Sequence, residues 1–231
     1  MPPTRADRRQ DVTVRILEIA RRHLAEEGAG SLSLRAVTRE LGMVSSAVYR
    51  YVANRDELLT LLVVDAYTDL ADAVDLAVAD AARRGWQQRV VTAALAFRSW
   101  AVADPARYAL LYGSPVPGYT APAELTTEPG TRVVLLLARL VAEGVERGDV
   151  VPVTDGLAVG RPLAAGLVPV AEEAGIPGGA AVTARALHLW STLVGAVSLE
   201  VFGQFGPEGP PEPEALLEHQ VRLVLHSLTN G

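Results

Sequence analysis

The 231-residue sequence predicts an all-α protein, with a head of three helices preceding a larger helical bundle. Three observations carry that reading. Apolar residues recur at steps of three and four along most of the chain. No stretch shows the strict alternation of a half-buried strand, and Gly- and Pro-rich segments fall between the periodic runs.

The first helix is expected over 8–28, where Val12, Ile16, Ala20 and Leu24 form one apolar stripe that stops at Gly28. Ser33 is placed to cap a second helix over 34–41, with Leu34, Val37 and Leu41 facing inward. Gly42 sits where a left-handed residue ends that helix. A third short helix follows over 45–52, packed down through Val44, Ala47, Val48 and Val52. Asn54 and Glu57 have capping-box spacing, with Asn in place of the usual Ser or Thr, and open a long helix to about residue 81. Its acids, Asp65, Asp69, Asp72, Asp75 and Asp80, read as a solvated face. Further helices are expected over 86–103, 105–112, 130–147, 155–174, 179–204 and 214–228, the second starting abruptly at Asp104–Pro105. Pro162 and Pro169 fall inside one of them and should kink it.

Charge divides the chain. Residues 1–55 hold 10 Arg against 6 acids, and the remainder holds 11 Arg against 21, so a net charge of −6 conceals a basic head. The basic residues are all Arg. A basic quarter joined to an acidic remainder points to a polyanion facing the head alone. No apolar run reaches the roughly 18 residues of a membrane span, and no secretory leader is evident; a cytoplasmic protein is expected.

Two short helices joined by a Gly-containing turn form a helix-turn-helix pattern, whose second helix can enter the major groove of DNA. The residues there suit that task. Ser45 and Ser46 open the third helix, where hydroxyl and backbone N–H groups can meet phosphate oxygens. Tyr49 and Tyr51 offer phenolic donors on rigid side chains. Arg50 and Arg55 supply charge, and Arg35 and Arg39, with Arg5, Arg8 and Arg9 in the tail, widen the basic footprint.

The segment RILEIARRHLAEEGAGSLSLRAVTRELGMVSSAVYRYVANRDELL resembles the DNA-binding region of TetR-type, tetracycline-repressor-like regulators. The likeness covers about 15–59. It includes Ile16–Ala20, the Gly28 break, the Ser33–Arg35 entry, the Leu41–Gly42 turn, the Tyr49 and Tyr51 pair, and Arg55. It implies DNA contacts from Ser33, Arg35, Ser45, Ser46, Tyr49, Arg50, Tyr51 and Arg55. The sequence departs from the family pattern at Val44, where a capping Ser is usual, at Val52 for a frequent Phe, and at Arg55 for a frequent Lys.

Residues 97–113 and 189–203 resemble the WHG type of C-terminal domain in that family, with Trp190 and Gly195 present and Val194 at the His position. The resemblance implies a helix-turn-helix domain at 1–55 and a ligand-binding and dimerisation domain at 56–231. It also implies a ligand-responsive regulator, a repressor released from a palindromic double-stranded operator when a small, largely apolar effector binds. Phe97, Trp100, Tyr108, Tyr112 and Trp190 are the candidate ligand contacts, since ligand sites are mostly apolar and aromatic and only 5% of the chain is aromatic. An ordinary aromatic core is the competing explanation. Arg98, Arg107, Arg132 and His188 could anchor a polar end of the ligand. Leu187, Val194, Val197 and Val201, with Trp190, line overlapping helical faces suited to a homodimer interface; a monomer core would use the same stripe.

An enzyme is not expected. The sequence has no Cys, and His23, His188, His219 and His226 lack metal-site spacing. No nucleophile elbow, phosphate loop or dinucleotide fingerprint occurs, so no metal or cofactor is expected. The alternative is a helical protein-interaction adaptor that keeps the fold without reading DNA; Tyr49, Tyr51 and Arg55 argue against it.

Overall fold

The computed structural model describes residues 5–150 and 159–229, and within its helices the side chains of 5–9, Ser45 and Ala174 lie outside the description. The described residues form ten α-helices and no strand. These are α1 (Arg5–Ser31), α2 (Leu34–Leu41), α3 (Ser45–Val48), α4 (Arg55–Asp80), α5 (Trp86–Ala103), α6 (Pro105–Tyr112), α7 (Ala123–Glu146), α8 (Arg161–Ala174), α9 (Gly179–Val201) and α10 (Pro213–Thr229). The expected helix over 155–174 lies partly outside the described residues, at 155–158. The candidate phosphate contacts of Arg5, Arg8, Arg9 and Ser45 also lie outside them.

Two compact units emerge. The first comprises residues up to Asp69 together with Asp104–Gly130, and the second comprises Leu70–Ala103 with the chain from Thr131 onward. The first unit is therefore built from α1 to α3, the start of α4, α6, the loop after it and the first turns of α7. Ile16, Ala20, Leu34, Val37, Val48, Val52, Leu58 and Leu62 form its core. Burying a side chain of this size stabilises by about 1.5–3 kcal/mol, which fixes the short α3 although it is too brief to hold itself. Tyr108 is buried there, its ring 5.0 Å from that of Tyr112, which meets Tyr67 edge-on at 6.3 Å.

In the second unit, α9 packs against α8, α10 and α5. Phe97 is fully buried and meets Trp190 edge-on at 5.8 Å. By length and composition α9 is apolar enough to cross a membrane, although no run of the sequence suggested it; a third of that window is buried inside the protein. Gly144 lets α7 lie directly on Trp86: a Cβ added there would stand 2.6 Å from the indole Cε2.

Two expectations change. The helix expected over 130–147 starts earlier, at Ala123, and runs through Pro129 and Gly130. Pro129 is buried, and Gly130 allows close contact with Tyr67, whose Cε2 would lie 3.3 Å from an added Cβ. The aspartate run of α4 is also more than a solvated face. Asp65 and Asp69 hold Arg107 at 3.2 and 2.7 Å, while Asp72 and Asp75 hold Arg132 at 2.8 and 2.6 Å.

Candidate nucleic-acid interface

The turn that presents α3 is fixed from both sides. Ser33 caps α2, its hydroxyl oxygen accepting from the Ala36 N–H at 3.4 Å. Gly42 ends α2 in the left-handed region, φ 69°, and its N–H donates to the Arg39 carbonyl at 3.3 Å. An L side chain is strained in that conformation. Val44 then precedes α3, and its carbonyl accepts from Ala47 N–H at 2.9 Å. A valine side chain accepts no hydrogen bond, so it cannot cap as serine does. After Val48 the helix tightens: Tyr51 N–H donates to the Val48 carbonyl at 2.8 Å, an i to i+3 bond, and the regular helix is shorter than the expected 45–52.

Val48 and Val52 are buried beneath this segment, with Tyr51 half-buried against the same core. Val44 is not part of that apolar side, because it is 73% exposed. Ser46, Tyr49 and Arg50 are exposed beside it, and Arg35 and Arg39 are exposed on α2. The outward set thus combines hydroxyl donors, guanidinium groups and one apolar tip. The nearby Glu40 carboxylate is already paired with His23, at 2.8 Å, and with Arg22. The His23 hydrogen bond, helped by the Arg22 charge, holds the Glu40 carboxyl below its usual range.

Arg55 has a role that the sequence does not suggest. Its guanidinium donates to the carbonyls of Leu32 at 3.0 Å, Ala29 at 2.8 Å and Gly30 at 3.0 Å. These carbonyls belong to the end of α1 and the link to α2, beyond the left-handed Gly28 (φ 76°). Arg55 therefore ties the start of α4 to the α1–α2 corner, where a phosphate contact was expected. The capping box forms beside it. The Asn54 side-chain oxygen accepts from Glu57 N–H at 2.8 Å, and the Glu57 carboxylate reaches back to the Ala53 N–H at 2.5 Å.

The five aromatic candidates for ligand contact are divided between the two units. Tyr108 and Tyr112 belong to the first unit, while Phe97, Trp100 and Trp190 belong to the second. Of the five, Trp190 alone is among the described residues lining a cavity of about 280 Å³ between α7, α8 and α9. Leu187 lines it too, although the sequence placed that residue at a dimer interface. Val197, 1% exposed, is core of its own protomer and is unavailable to a partner; Val194 and Val201 are half-buried. The arginines proposed as ligand anchors are engaged elsewhere: Arg98 by Glu200 at 2.6 Å, Arg107 and Arg132 by the α4 aspartates. His188 is exposed. Glu173, which does line the cavity, gave no signal in the sequence beyond its place near the end of an apolar helix.

An exposed hydroxyl- and arginine-bearing segment carried on a helix-turn-helix defines a class: the DNA-binding transcriptional regulators. The comparisons are specific. Residues 16–62 match the family model for bacterial regulatory proteins of the tetR family, and residues 90–224 match a tetracyclin repressor-like C-terminal domain. The chain is 48% identical over 221 residues to the HTH-type transcriptional regulator Rv1816 of Mycobacterium tuberculosis, covering 96% of this chain and 94% of that one. Among solved structures it resembles the regulatory protein SCO4313, with a TM-score of 0.76, 34% identity and coverage of 96% and 99% of the two chains. A Rhodococcus sp. RHA1 protein shares the fold at a TM-score of 0.71 and 23% identity, over 94% and 95% of the chains. The chain belongs to the TetR family of bacterial transcriptional regulators.

Proposed function

We propose that this regulator binds a palindromic operator as a homodimer and represses transcription until a small apolar effector occupies the C-terminal bundle. The observation that carries the reading is the exposed set Arg35, Ser46, Tyr49 and Arg50, mounted over the buried Val48 and Val52. Ser33, Ser46, Tyr49 and Tyr51 supply phosphate contacts. Arg35 and Arg50 supply charge, and Val44 offers an apolar tip to a thymine methyl. Arg55 acts on DNA by holding the head in shape.

A dimer face on α9 and α10 follows from what those helices leave outside. His188, Ser191, Gly195 and Leu199 form one exposed stripe on α9, and Ala215, His219 and Leu223 are exposed on α10. An apolar helix with a third of its central window buried is stabilised by a partner that covers the rest. The paired heads would read half-sites about 34–36 Å apart, one turn of DNA, or a multiple of it. The cavity beside Trp190 would receive the effector, which shifts the population of head separations. The protein would work in the cytoplasm, without catalytic chemistry of its own.

Selection of bound sequences from a random DNA pool tests the reading. A palindrome should be enriched, with affinity falling steeply as salt rises. A pool without an enriched palindrome would favour the protein-interaction adaptor.

A further inference from the structure

The cavity between α7, α8 and α9 has hydrocarbon walls from Val134, Leu135, Ala138, Ile176 and Ala186, with the Trp190 ring beside them. Among the described residues one charged side chain lines it, the exposed Glu173, and no Arg or His does. The C-terminus of α8 lies immediately beyond Glu173. There Gly175 N–H donates toward the Ala171 and Glu172 carbonyls, so the negative end of the helix dipole adds to the carboxylate. A second depression at this helix end shares Ile176 and is lined by Glu146 and Glu172, again with no basic residue among those described. Of the arginines on the lining helices, Arg132 is held by Asp72 and Asp75, and Arg139, Arg161 and Arg185 are outside the lining.

We infer that this cavity takes a cationic amphiphile, with its apolar body against Trp190 and Ile176 and its protonated amine at Glu173. The inference rests on the reading of the chain as an effector-binding regulator and names the chemical class of the effector. A carboxylate ligand would enter a site of like charge, with no basic side chain among the described lining residues to pair it, which opposes binding. At about 280 Å³ the site is near the small end of ligand cavities, enough for a single short chain or a compact ring system.

The test is calorimetric titration of the full-length protein, without DNA, using decylamine, decanol and decanoate below their aggregation limits. Decylamine should bind about fivefold more tightly than decanol, the worth of one partly solvated charge pair, and decanoate should bind more weakly than either. Glu173→Gln, at an exposed position that leaves the core intact, should lower decylamine to the affinity of decanol and leave decanol unchanged. Ala186→Phe, which fills the cavity, should weaken both. Equal or tighter binding of decanoate, a decanol affinity matching that of decylamine, an unaltered preference in Glu173→Gln, or no binding at all would overturn the inference. Because DNA is absent, amine binding that never alters operator affinity would leave this inference standing and remove the effector-released repressor.

Discussion

The Arg55 guanidinium and the Leu32 carbonyl oxygen, 23 residues apart in sequence, are joined by a 3.0 Å hydrogen bond. With the Ala29 and Gly30 carbonyls on the same fork, one side chain satisfies backbone acceptors that the end of α1 leaves over. Removing it should cost about 2 kcal/mol, since these bonds are charge-assisted. Arg55→Ala should therefore lower the urea midpoint while leaving the salt dependence of operator binding nearly unchanged. Arg50→Ala should do the reverse, reducing the slope of log affinity against log salt by about one. Arg55→Lys should recover little stability, because an ammonium cannot reproduce the planar fork.

Asp65 on α4 serves two partners from other helices. It meets Arg107 of α6 at 3.2 Å and Arg21 Nε of α1 at 2.9 Å. The hydrogen bond to Asp65 is the main reason the Arg21 guanidinium is raised above its ordinary pKa. Exposure decides which arginine matters more: the Arg107 side chain is 8% exposed and that of Arg21 39%. Arg107→Leu should destabilise by about 2 kcal/mol, because it removes the more buried of the two cations that the 17% exposed Asp65 pairs with. Arg21→Ala should cost about 1 kcal/mol or less. Adding Asp65→Asn to Arg107→Leu should restore part of the loss in chemical denaturation, and purely additive losses would show that the pair is not coupled.

These two arginines also mark what could be read from the sequence and what could not. Helix boundaries were legible where a local cap sets them: Ser33, Gly42, Asn54 with Glu57, and Asp104 before Pro105 act within four residues of themselves. The buried side of the head was legible at Val37, Val48 and Val52 from periodicity alone. The partners of Arg55, Arg107 and Arg132 were not. An arginine that pairs with a carbonyl 26 residues away looks the same in sequence as one that waits for phosphate. The division of the aromatic residues between units was illegible for a related reason. Phe97, Trp100, Tyr108 and Tyr112 are close in sequence, but the abrupt α5–α6 junction sends the last two into a different unit.

Burial pushes the Tyr112 hydroxyl far above the ordinary tyrosine value of 10.0, and the neighbouring Tyr67 and Tyr108 add to it; burial also raises Tyr67. A folded-state pKa above the unfolded one means that the unfolded chain releases protons first as pH rises. The stability contributed by the neutral phenols is then fully present below about pH 10 and is lost above it, toward the raised folded value. Alkaline titration followed by phenolate absorbance should show Tyr67 and Tyr112 resisting ionisation until the head unfolds. Tyr112→Phe should move that unfolding to higher pH, and an unmoved transition would assign it to other groups.

Two helical glycines offer opposite outcomes. At Gly144 an added Cβ would lie 2.6 Å from Trp86 Cε2, and the indole is held by its Nε1–H donating to Asp149 at 3.0 Å. Gly144→Ala should destabilise by about 1–2 kcal/mol, because overpacking against a fixed ring exceeds the gain in helix propensity. It should also shift the Trp86 fluorescence. At Gly195 nothing lies within 4 Å of the added atom, and the residue is exposed in the middle of α9. An isolated protomer should tolerate Gly195→Arg without loss of helix content. If α9 meets its copy on this face, the same substitution places a guanidinium in an apolar contact and leaves the protein monomeric in sedimentation, with palindrome affinity reduced at least tenfold. A Gly195→Arg protein that sediments as a dimer with full affinity would place the partner on another face.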